Sequence, residues 1–203
     1  MLKTIIQTNT VTRCFRTAYY LRRGSKISPN AIVVGTIKGL SIARHVTIGA
    51  RSRISLSPSA KVALSDGVWL STDIEIETEG LVSIGARTTI QRRATVNGNV
   101  TIGKECIFAP NVFISSGTHP FRAHPDISIR EQERRIADGT LHFEGLDRPV
   151  VIGDDCWLGT NAVVCPGVTI GDGCVVGANS VVTKSLKARG VYAGAPARKI
   201  GER

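Results

Sequence analysis

The amino-acid sequence predicts an all-β protein that winds as a parallel β-helix of about seven or eight triangular coils. Three observations support this prediction. An aliphatic or aromatic side chain recurs every six residues, a small or β-branched side chain follows four residues later, and glycine often stands directly after the aliphatic position. A period of six matches neither an α-helix nor a long alternating strand. It suits short strands joined by tight corners, with three hexads closing each coil.

The repeat occupies two regular blocks with an interruption between them. The aliphatic or aromatic positions are Ile84, Ile90, Val96, Ile102, Phe108 and Ile114, then Ile152, Leu158, Val164, Ile170, Val176 and Val182. The small positions are Thr88, Ala94, Val100, Cys106, Val112 and Thr118, then Cys156, Ala162, Val168, Cys174, Ser180 and the larger Leu186. The repeating glycines are Gly85, Gly103, Gly153, Gly159, Gly171 and Gly177. We expect the first two sets to point inward and the glycines to relieve steric strain where the backbone turns.

Earlier and weaker repeats extend the pattern toward the N-terminus. They begin at Ile42, Ile48 and Ile54 and continue in a shifted frame at Leu64, Leu70 and Ile76. Three of the five cysteines, Cys106, Cys156 and Cys174, occupy the small inward position. This placement favours a role as small buried side chains over a stack of metal-binding cysteines or a disulfide.

The length of 203 residues fits one domain with small appendages. We predict a basic N-terminal segment over residues 1–28, a β-helix over 29–190 interrupted by a loop at 120–149, and a C-terminal tail over 191–203. In the first segment, the stretch "VTRCFRTAYYLRRG" could form a short amphipathic helix. No apolar run is long enough to span a membrane and no secretory signal is evident, so we expect a cytoplasmic protein with reduced thiols.

The net charge of +10 is concentrated in the first third of the chain. Eleven lysines and arginines precede Asp66, which is the first acidic residue. Such asymmetry favours an anionic partner, such as phospholipid headgroups, an acidic polymer or a phosphorylated cofactor, over the alternative of a basic surface kept for solubility. Nucleic acid is not indicated, because no zinc-finger spacing, helix-turn-helix or aromatic sheet signature is present.

The regular repeat stops in "FISSGTHPFRAH", at His119-Pro120, and resumes about thirty residues later. Three segments around the interruption carry a family resemblance: "VTIGKECIFAPNVFISSGTHP", "VVIGDDCWLGTNAVVCPGVTIGDGCVVGANSVVTKS" and "YAGAPARKI". With them, the chain resembles the hexapeptide-repeat acyltransferases. It is most similar to the sugar O-acetyltransferases of the galactoside, maltose and capsule or O-antigen group. The resemblance implies that the parallel β-helix is left-handed.

The same resemblance implies transfer of an acetyl group from acetyl-CoA to a hydroxyl. His119 matches the catalytic histidine of the family and would act as general base, a role that suits a side chain titrating near neutral pH. The backbone N–H groups near Gly159 and Thr160 match the donors to the oxyanion. Trp157 matches a tryptophan that borders the acceptor or cofactor, although shielding one flank of a coil would also explain its presence.

The family resemblance also implies the cofactor contacts and the assembly. The pantetheine arm of CoA would bond to backbone at Thr160 and Ala178. Thr183, Lys184 and Arg198 match positions that bind the phosphates. The second arginine of the family is replaced here by Gly201, so Lys199 or Arg203 would substitute for it, or the contact is absent. A homotrimer with the active site between neighbouring coils is expected, and no metal is required.

The acceptor is the least defined part of the prediction. The acidic acceptor residue of galactoside and maltose acetyltransferases has no counterpart before Asp66. Their coil asparagine has no clear counterpart within "IQRRATVNGN", where Gln91, Arg92, Arg93 or Asn97 could replace it. The segment "HPDISIREQE" resembles enzymes that modify bacterial surface glycans. We therefore expect a sugar, a surface glycan or its lipid-linked precursor as acceptor, and contact of the basic N-terminus with an anionic membrane.

Three alternatives remain open from the sequence. An amine or an antibiotic could replace the hydroxyl acceptor. A metal enzyme similar to the γ-carbonic anhydrases would use the five-residue spacing of His119 and His124, but Pro120 and Pro125 take the second histidine off the coil. A scaffold without catalytic activity would not depend on His119.

Overall fold

The computed structural model describes residues 10–35 and 37–203, and its strands form three sheets that enclose one apolar core. We term these sheets faces A, B and C, because each coil adds one strand to each face in that order. Within the described residues, face A holds nine strands, of which the last is antiparallel, so about eight coils stack in parallel. The predicted all-β parallel β-helix is confirmed.

The strands are short, as the hexad period requires. Face A contains β1 (Lys26–Ile27), β4 (Thr47–Ile48), β7 (Trp69–Leu70), β10 (Thr89–Ile90), β13 (Ile107–Phe108), β16 (Trp157–Leu158), β19 (Val175–Val176), β21 (Gly190–Ala193) and β22 (Arg198–Glu202). Face B contains β2 (Ile32–Val34), β5 (Arg53–Leu56), β8 (Glu75–Thr78), β11 (Thr95–Asn97), β14 (Phe113–Ser115), β17 (Val163–Val164) and β20 (Val181–Val182). Face C contains β3 (Leu40–Ile42), β6 (Lys61–Leu64), β9 (Leu81–Ile84), β12 (Val100–Ile102), β15 (Val150–Ile152) and β18 (Thr169–Ile170).

The register of the strands stacks identical positions of the repeat on one another. On face C, Ile84 pairs with Ile102, Ile102 with Ile152 and Ile152 with Ile170, and all four side chains are buried. Each fully buried aliphatic side chain of this size stabilises the fold by about 1.5–3 kcal/mol relative to an exposed one. The predicted inward positions of the two regular blocks therefore form the core, except Thr118, which is only partly buried because the coil ends with β14 at Ser115.

The repeating glycines serve a different purpose from the one that the sequence suggests. The backbone of Gly85 and that of Gly159 do not have positive φ. A Cβ on Gly159 would instead lie 2.6 Å from the backbone nitrogen of Ala178 in the next coil, and one on Gly85 would lie 2.4 Å from the carbonyl carbon of Gly103. These glycines allow adjacent coils to approach. Many left-handed corner positions carry other residues, such as Asn161 at φ 60°.

The inward cysteines are buried free thiols, as predicted. Each thiol lies within hydrogen-bonding distance of a carbonyl of the next coil, at 3.1 Å from Cys106 to Gly153 and at 3.3 Å from Cys156 to Gly171. The contact with Cys106, together with burial, raises the pKa of the Cys156 thiol, so this thiol stays protonated.

Both ends of the coil are covered. At the N-terminal end, helix α1 (Thr10–Leu21) lies over the first strands, where Arg16 donates to the carbonyls of Ser28 and Ala31 at 3.0 and 2.8 Å. The helix expected in this stretch is thus present. At the other end, β21 and β22 form an antiparallel hairpin over the last coil. No helix within residues 10–35 and 37–203 combines the length and the apolar character needed to cross a membrane.

The interruption is an insertion that leaves the ladder of strands intact. We term residues 117–149 the excursion. β12 pairs with β15 and β14 with β17, so the coils before and after the excursion are direct neighbours. The excursion contains helix α2 (Ile129–Ala137), in a stretch that was predicted from the sequence to be loop. Ser128 caps α2 by accepting a hydrogen bond from the N–H of Glu131.

Candidate active site

A cavity of about 810 Å³ lies over face B, beside the excursion. Its floor comes from outward positions of successive strands: Glu77 of β8, Asn97 of β11 and Ser115 of β14. Its wall on the excursion side includes His119 and Asp147. The cavity therefore joins the regular coil to the part of the chain that leaves it.

His119 is exposed at the edge of this cavity, with 76% of its side chain accessible. The regular coil ends with β14 at Ser115, so His119 stands beyond the last hexad rather than in it, which corrects the sequence-based expectation. Its Nδ1 lies 2.5 Å from Oε1 of Glu133 on α2. Since a carboxylate only accepts, Nδ1 carries a proton in this contact, so it is Nε2 that offers a lone pair whenever the ring is neutral.

Glu133 is itself held in place. Arg130 donates to its second carboxylate oxygen at 3.2 Å, and only 28% of the Glu133 side chain is accessible. A half-buried carboxylate that faces an imidazole fixes the tautomer and the orientation of the ring. Glu133 was not among the site residues predicted from the sequence. The pattern of Ser128 followed three residues later by Glu131 could have predicted the helix that carries it.

The two ends of the excursion are joined at its neck. Gly117 pairs with Asp147, and the N–H of Thr118 donates to the carbonyl of Leu146 at 2.8 Å. The Asp147 carboxylate accepts hydrogen bonds from the buried hydroxyl of Ser116 and from the side-chain amide of Asn99. This neck fixes the backbone only a few residues from His119.

One polar atom on the cavity floor has no partner. The Oδ1 atom of Asn97 is buried and accepts no hydrogen bond from the described residues. Buried polar atoms in folded proteins nearly always have partners, so this oxygen is an exception, and a molecule in the cavity does not reach it in this side-chain conformation. Of the four candidates for the coil asparagine of the family, Asn97 is the one that lines this cavity.

The predicted oxyanion and pantetheine contacts lie at a different edge. Thr160 precedes β17 at the corner between faces A and B, whereas His119 follows β14 at the opposite edge of face B. The N–H of Gly159 is used by the ladder, donating to the carbonyl of Val176 at 2.8 Å. The N–H groups of Thr160 and Ala178 donate to no group in the described part of the chain. A row of free donors thus runs along this corner.

Trp157 is exposed on face A, between Ile107 and Val175 of the neighbouring strands. Neither Trp157 nor the Gly159–Thr160 corner lines the cavity beside His119. One chain therefore does not bring these residues together with the histidine.

The predicted phosphate contacts gather at the C-terminal end of the coil. Thr183 and Lys184 are exposed directly after β20, and the turn before β22 packs on the same strand, because the N–H of Ala197 donates to the carbonyl of Val181 at 2.8 Å. Arg198 begins β22. Lys184 forms no ion pair with any described residue.

The two substitutes proposed for the missing arginine already have partners. Lys199 binds Glu202 at 2.6 Å, a contact that raises the pKa of the lysine. Arg203 binds the Asp155 carboxylate at 2.8 Å. A phosphate would have to displace these contacts.

Within residues 10–35 and 37–203, no group of three or more His, Cys, Asp or Glu side chains is placed to hold a metal ion. His119 and His124 in particular do not converge with a third ligand.

Two family models match the regular blocks of the chain. Residues 82–116 match the bacterial transferase hexapeptide of six repeats, and residues 149–184 match the hexapeptide repeat of succinyl-transferase. The matches lie on the two sides of the excursion.

Similar proteins extend over most of the chain. An Escherichia coli protein assigned to colanic acid biosynthesis, the acetyltransferase WcaF, is 33% identical over 165 residues, which cover 81% of this chain and 70% of that protein. The galactoside O-acetyltransferase of the same organism is 31% identical over 74% of this chain and 68% of its own. A solved galactoside acetyltransferase in complex with coenzyme A is 30% identical, covers 71% of this chain and 63% of its own, and has a TM-score of 0.48. The chain belongs to the hexapeptide-repeat family of acetyltransferases.

Proposed function

We propose that this protein transfers the acetyl group of acetyl-CoA to a hydroxyl of a sugar, a bacterial surface glycan or its lipid-linked precursor, with His119 as general base. The observation that carries the proposal is the His119–Glu133 pair at the edge of a cavity of about 810 Å³. Family membership supports acetyl transfer, and the names of relatives that act on galactosides or belong to colanic acid biosynthesis support a sugar acceptor.

The pair supplies the chemistry that a hydroxyl acceptor needs. Nε2 of His119 takes the hydroxyl proton as the oxygen attacks the thioester carbonyl, and the Glu133 carboxylate stabilises the imidazolium that results. The tetrahedral intermediate then expels the sulfur of CoA, which receives that proton. The products are an acetyl ester and CoA with a free thiol, so no residue of the protein is acetylated on the way.

The oxyanion requires a donor that is not already engaged. Of the two predicted residues, Thr160 has the free N–H, whereas that of Gly159 belongs to the ladder. We assign the oxyanion contact to Thr160, and the pantetheine contacts to the row formed by Thr160 and Ala178. Thr183, Lys184 and Arg198 would receive the phosphates at the end of the same row.

A second copy of the chain would complete the site. His119 and Thr160 lie at opposite edges of face B, so the thioester bound along one edge reaches a histidine only if another subunit supplies it. A closed homotrimer satisfies this need three times, because each subunit offers one edge to each neighbour. The reaction belongs in the cytoplasm, where acetyl-CoA is available.

The N-terminal helix supports contact with an anionic membrane. Phe15 is 73% exposed on α1, Tyr19 and Leu21 are also exposed, and no acidic residue precedes Asp66. Aromatic side chains with arginines around them suit the interface of an anionic bilayer.

The double variant F15S/Y19S should lose most of its co-sedimentation with phosphatidylglycerol vesicles. The control I200S, which changes an exposed residue at the other end of the chain, should keep it. Equal sedimentation of both variants would argue against membrane contact.

The proposed chemistry is tested by incubating the full-length protein with labelled acetyl-CoA and a panel of oligosaccharides, lipid-linked sugars, amino sugars and aminoglycosides. Mass spectrometry identifies the product, and mild base separates O-acetyl esters, which it cleaves, from N-acetyl amides, which survive. We expect base-labile products. Base-stable products alone would establish an amine acceptor instead.

The variant His119→Ala should lower kcat/KM by about a hundredfold or more, the usual contribution of a general base. His124→Ala is the matched control, because this exposed histidine lies in the same excursion but does not line the cavity. Full activity of His119→Ala would overturn the assignment of the base.

A further inference from the structure

We infer that the sugar unit bound beside His119 is uncharged, and that carboxylates on the cavity floor select against uronic acids, sialic acids and phosphorylated sugars. This inference rests on the proposed function and adds the class of acceptor to it. Three carboxylates line the cavity, those of Glu77, Glu79 and Asp147, and no lysine or arginine is among the lining residues. When ionised, these carboxylates contribute three negative charges to the lining.

The two glutamates are not neutralised by their surroundings. Glu77 and Glu79 are exposed, and neither forms an ion pair with a described residue. The nearby Arg53 contacts Ser55, the register partner of Glu77, but it forms no ion pair with either glutamate and does not line the cavity. Asp147 accepts hydrogen bonds from neutral groups at the neck, which leaves its charge in place.

The floor also offers what hydroxyl groups need. Glu77 pairs with Asn97 and Asn97 with Ser115, so a row of oxygen acceptors crosses three coils and ends near His119. Successive strands lie about 4.8 Å apart, so the row spans roughly 10 Å, enough for one to two sugar rings. Asn97 lines the cavity in this row, and its side-chain amide is a group that can hydrogen-bond a sugar hydroxyl.

The size of the discrimination follows from Coulomb's law. In a water-like medium, one carboxylate at roughly 8 Å from a negative charge on the acceptor weakens acceptor binding about twofold. Three carboxylates together weaken it about tenfold. Salt screens interactions between exposed charges, with a screening length of about 10 Å at 0.1 M. The preference for the neutral acceptor should therefore shrink as salt is added.

The experiment compares two acceptors that differ in one group: a methyl glycoside and the methyl glycoside of the corresponding uronic acid. With wild-type protein, we expect kcat/KM for the neutral glycoside to exceed that for the uronate by about tenfold at low salt. The double variant E77Q/E79Q should reduce this ratio to about twofold. Glu75→Gln is the matched control, because Glu75 lies on the same strand but does not line the cavity, and it should leave the ratio unchanged.

Binding of the same two glycosides to the protein without acetyl-CoA, measured by saturation-transfer NMR, separates this inference from the proposed function. A protein that binds the neutral glycoside preferentially but transfers no acetyl group would overturn the proposed reaction and support the acceptor class. Equal or tighter binding of the uronate, or an unchanged ratio in E77Q/E79Q, would overturn the acceptor class even if O-acetyl transfer is confirmed.

Discussion

The coil and the excursion position their residues by different means. In the coil, the parallel strands place similar side chains directly above one another, and buried isoleucines, leucines and valines fill the interior. In the excursion, side chains do most of this work: Gln132 is buried and bonds to the backbone of His124 and Ile127, and Glu133 holds His119. A backbone ladder tolerates many outward side chains, whereas the excursion depends on particular ones. Stability should therefore depend mainly on the coil, and chemistry on the excursion.

The largest effect should come from a cavity in the coil. Phe108 is the largest fully buried side chain among the residues that the structure describes, and Phe108→Ala should lower the free energy of unfolding by about 3–5 kcal/mol. Phe121→Ala removes the same ring from an exposed position in the excursion and should change stability by less than about 0.5 kcal/mol. Denaturant unfolding of both variants provides the measurement. Similar losses in the two would mean that the excursion is as much a part of the core as the coil.

The next effect concerns the pair formed by His119 and Glu133. Glu133→Gln keeps the shape of the side chain but removes the charge that stabilises the imidazolium. We expect kcat to fall by about 10–100-fold, while KM for acetyl-CoA and the melting temperature stay close to those of the wild type. Glu144 is an exposed carboxylate of the same excursion, so Glu144→Gln should leave both kcat and KM unchanged. A raised KM with an unchanged kcat would show that Glu133 serves binding instead of positioning the base.

The smallest effect is a dependence of the excursion on pH. Hydrogen bonds from Arg134 and Arg135 lower the pKa of Glu131 to about 2. Because the folded-state pKa lies below the unfolded value, the ionised glutamate favours α2 above the unfolded pKa of about 4.3, and this contribution is lost as pH falls toward 2.

Hydrogen exchange should show α2 opening more readily at pH 3 than at pH 6, with little change in the coil. Glu131→Gln should weaken this pH dependence. Since Glu131 and both arginines lie at the surface, the effect is small, and added salt should reduce it. Coil amides that open together with α2 would contradict the separation of the two regions.

The sequence predicted the coil well because its hexad rule is local. Each inward position can be identified from its spacing to the next one along the chain. Ile102 and Cys156 were identified in this way, and both side chains are buried. The role assigned to the repeating glycines was wrong, because the contact of Gly159 with Ala178 joins residues nineteen positions apart that only stacking brings together. Local backbone strain was the simpler explanation at the level of the sequence.

The site was harder to predict for the same reason. His119 was identified from its position in a family motif, but Glu133 lies fourteen residues away across a helix that was taken for loop. Asn97 was one of four candidates, and only the cavity separates it from the others. The outward charges of Glu77 and Glu79 do not alter the hexad pattern, so their convergence beside His119 emerges only once successive coils are stacked.

The neck of the excursion has a practical consequence. Its two ends meet at Gly117 and Asp147, and the strands on either side pair as if nothing had been inserted. Such a geometry makes residues 118–146 an exchangeable cassette, provided that the replacement carries its own counterparts of His119 and Glu133. Related chains could trade this segment to adapt to new acceptors, and a designer could graft a foreign one at the same junction, while the underlying prism and its grip on the donor molecule remain as they are.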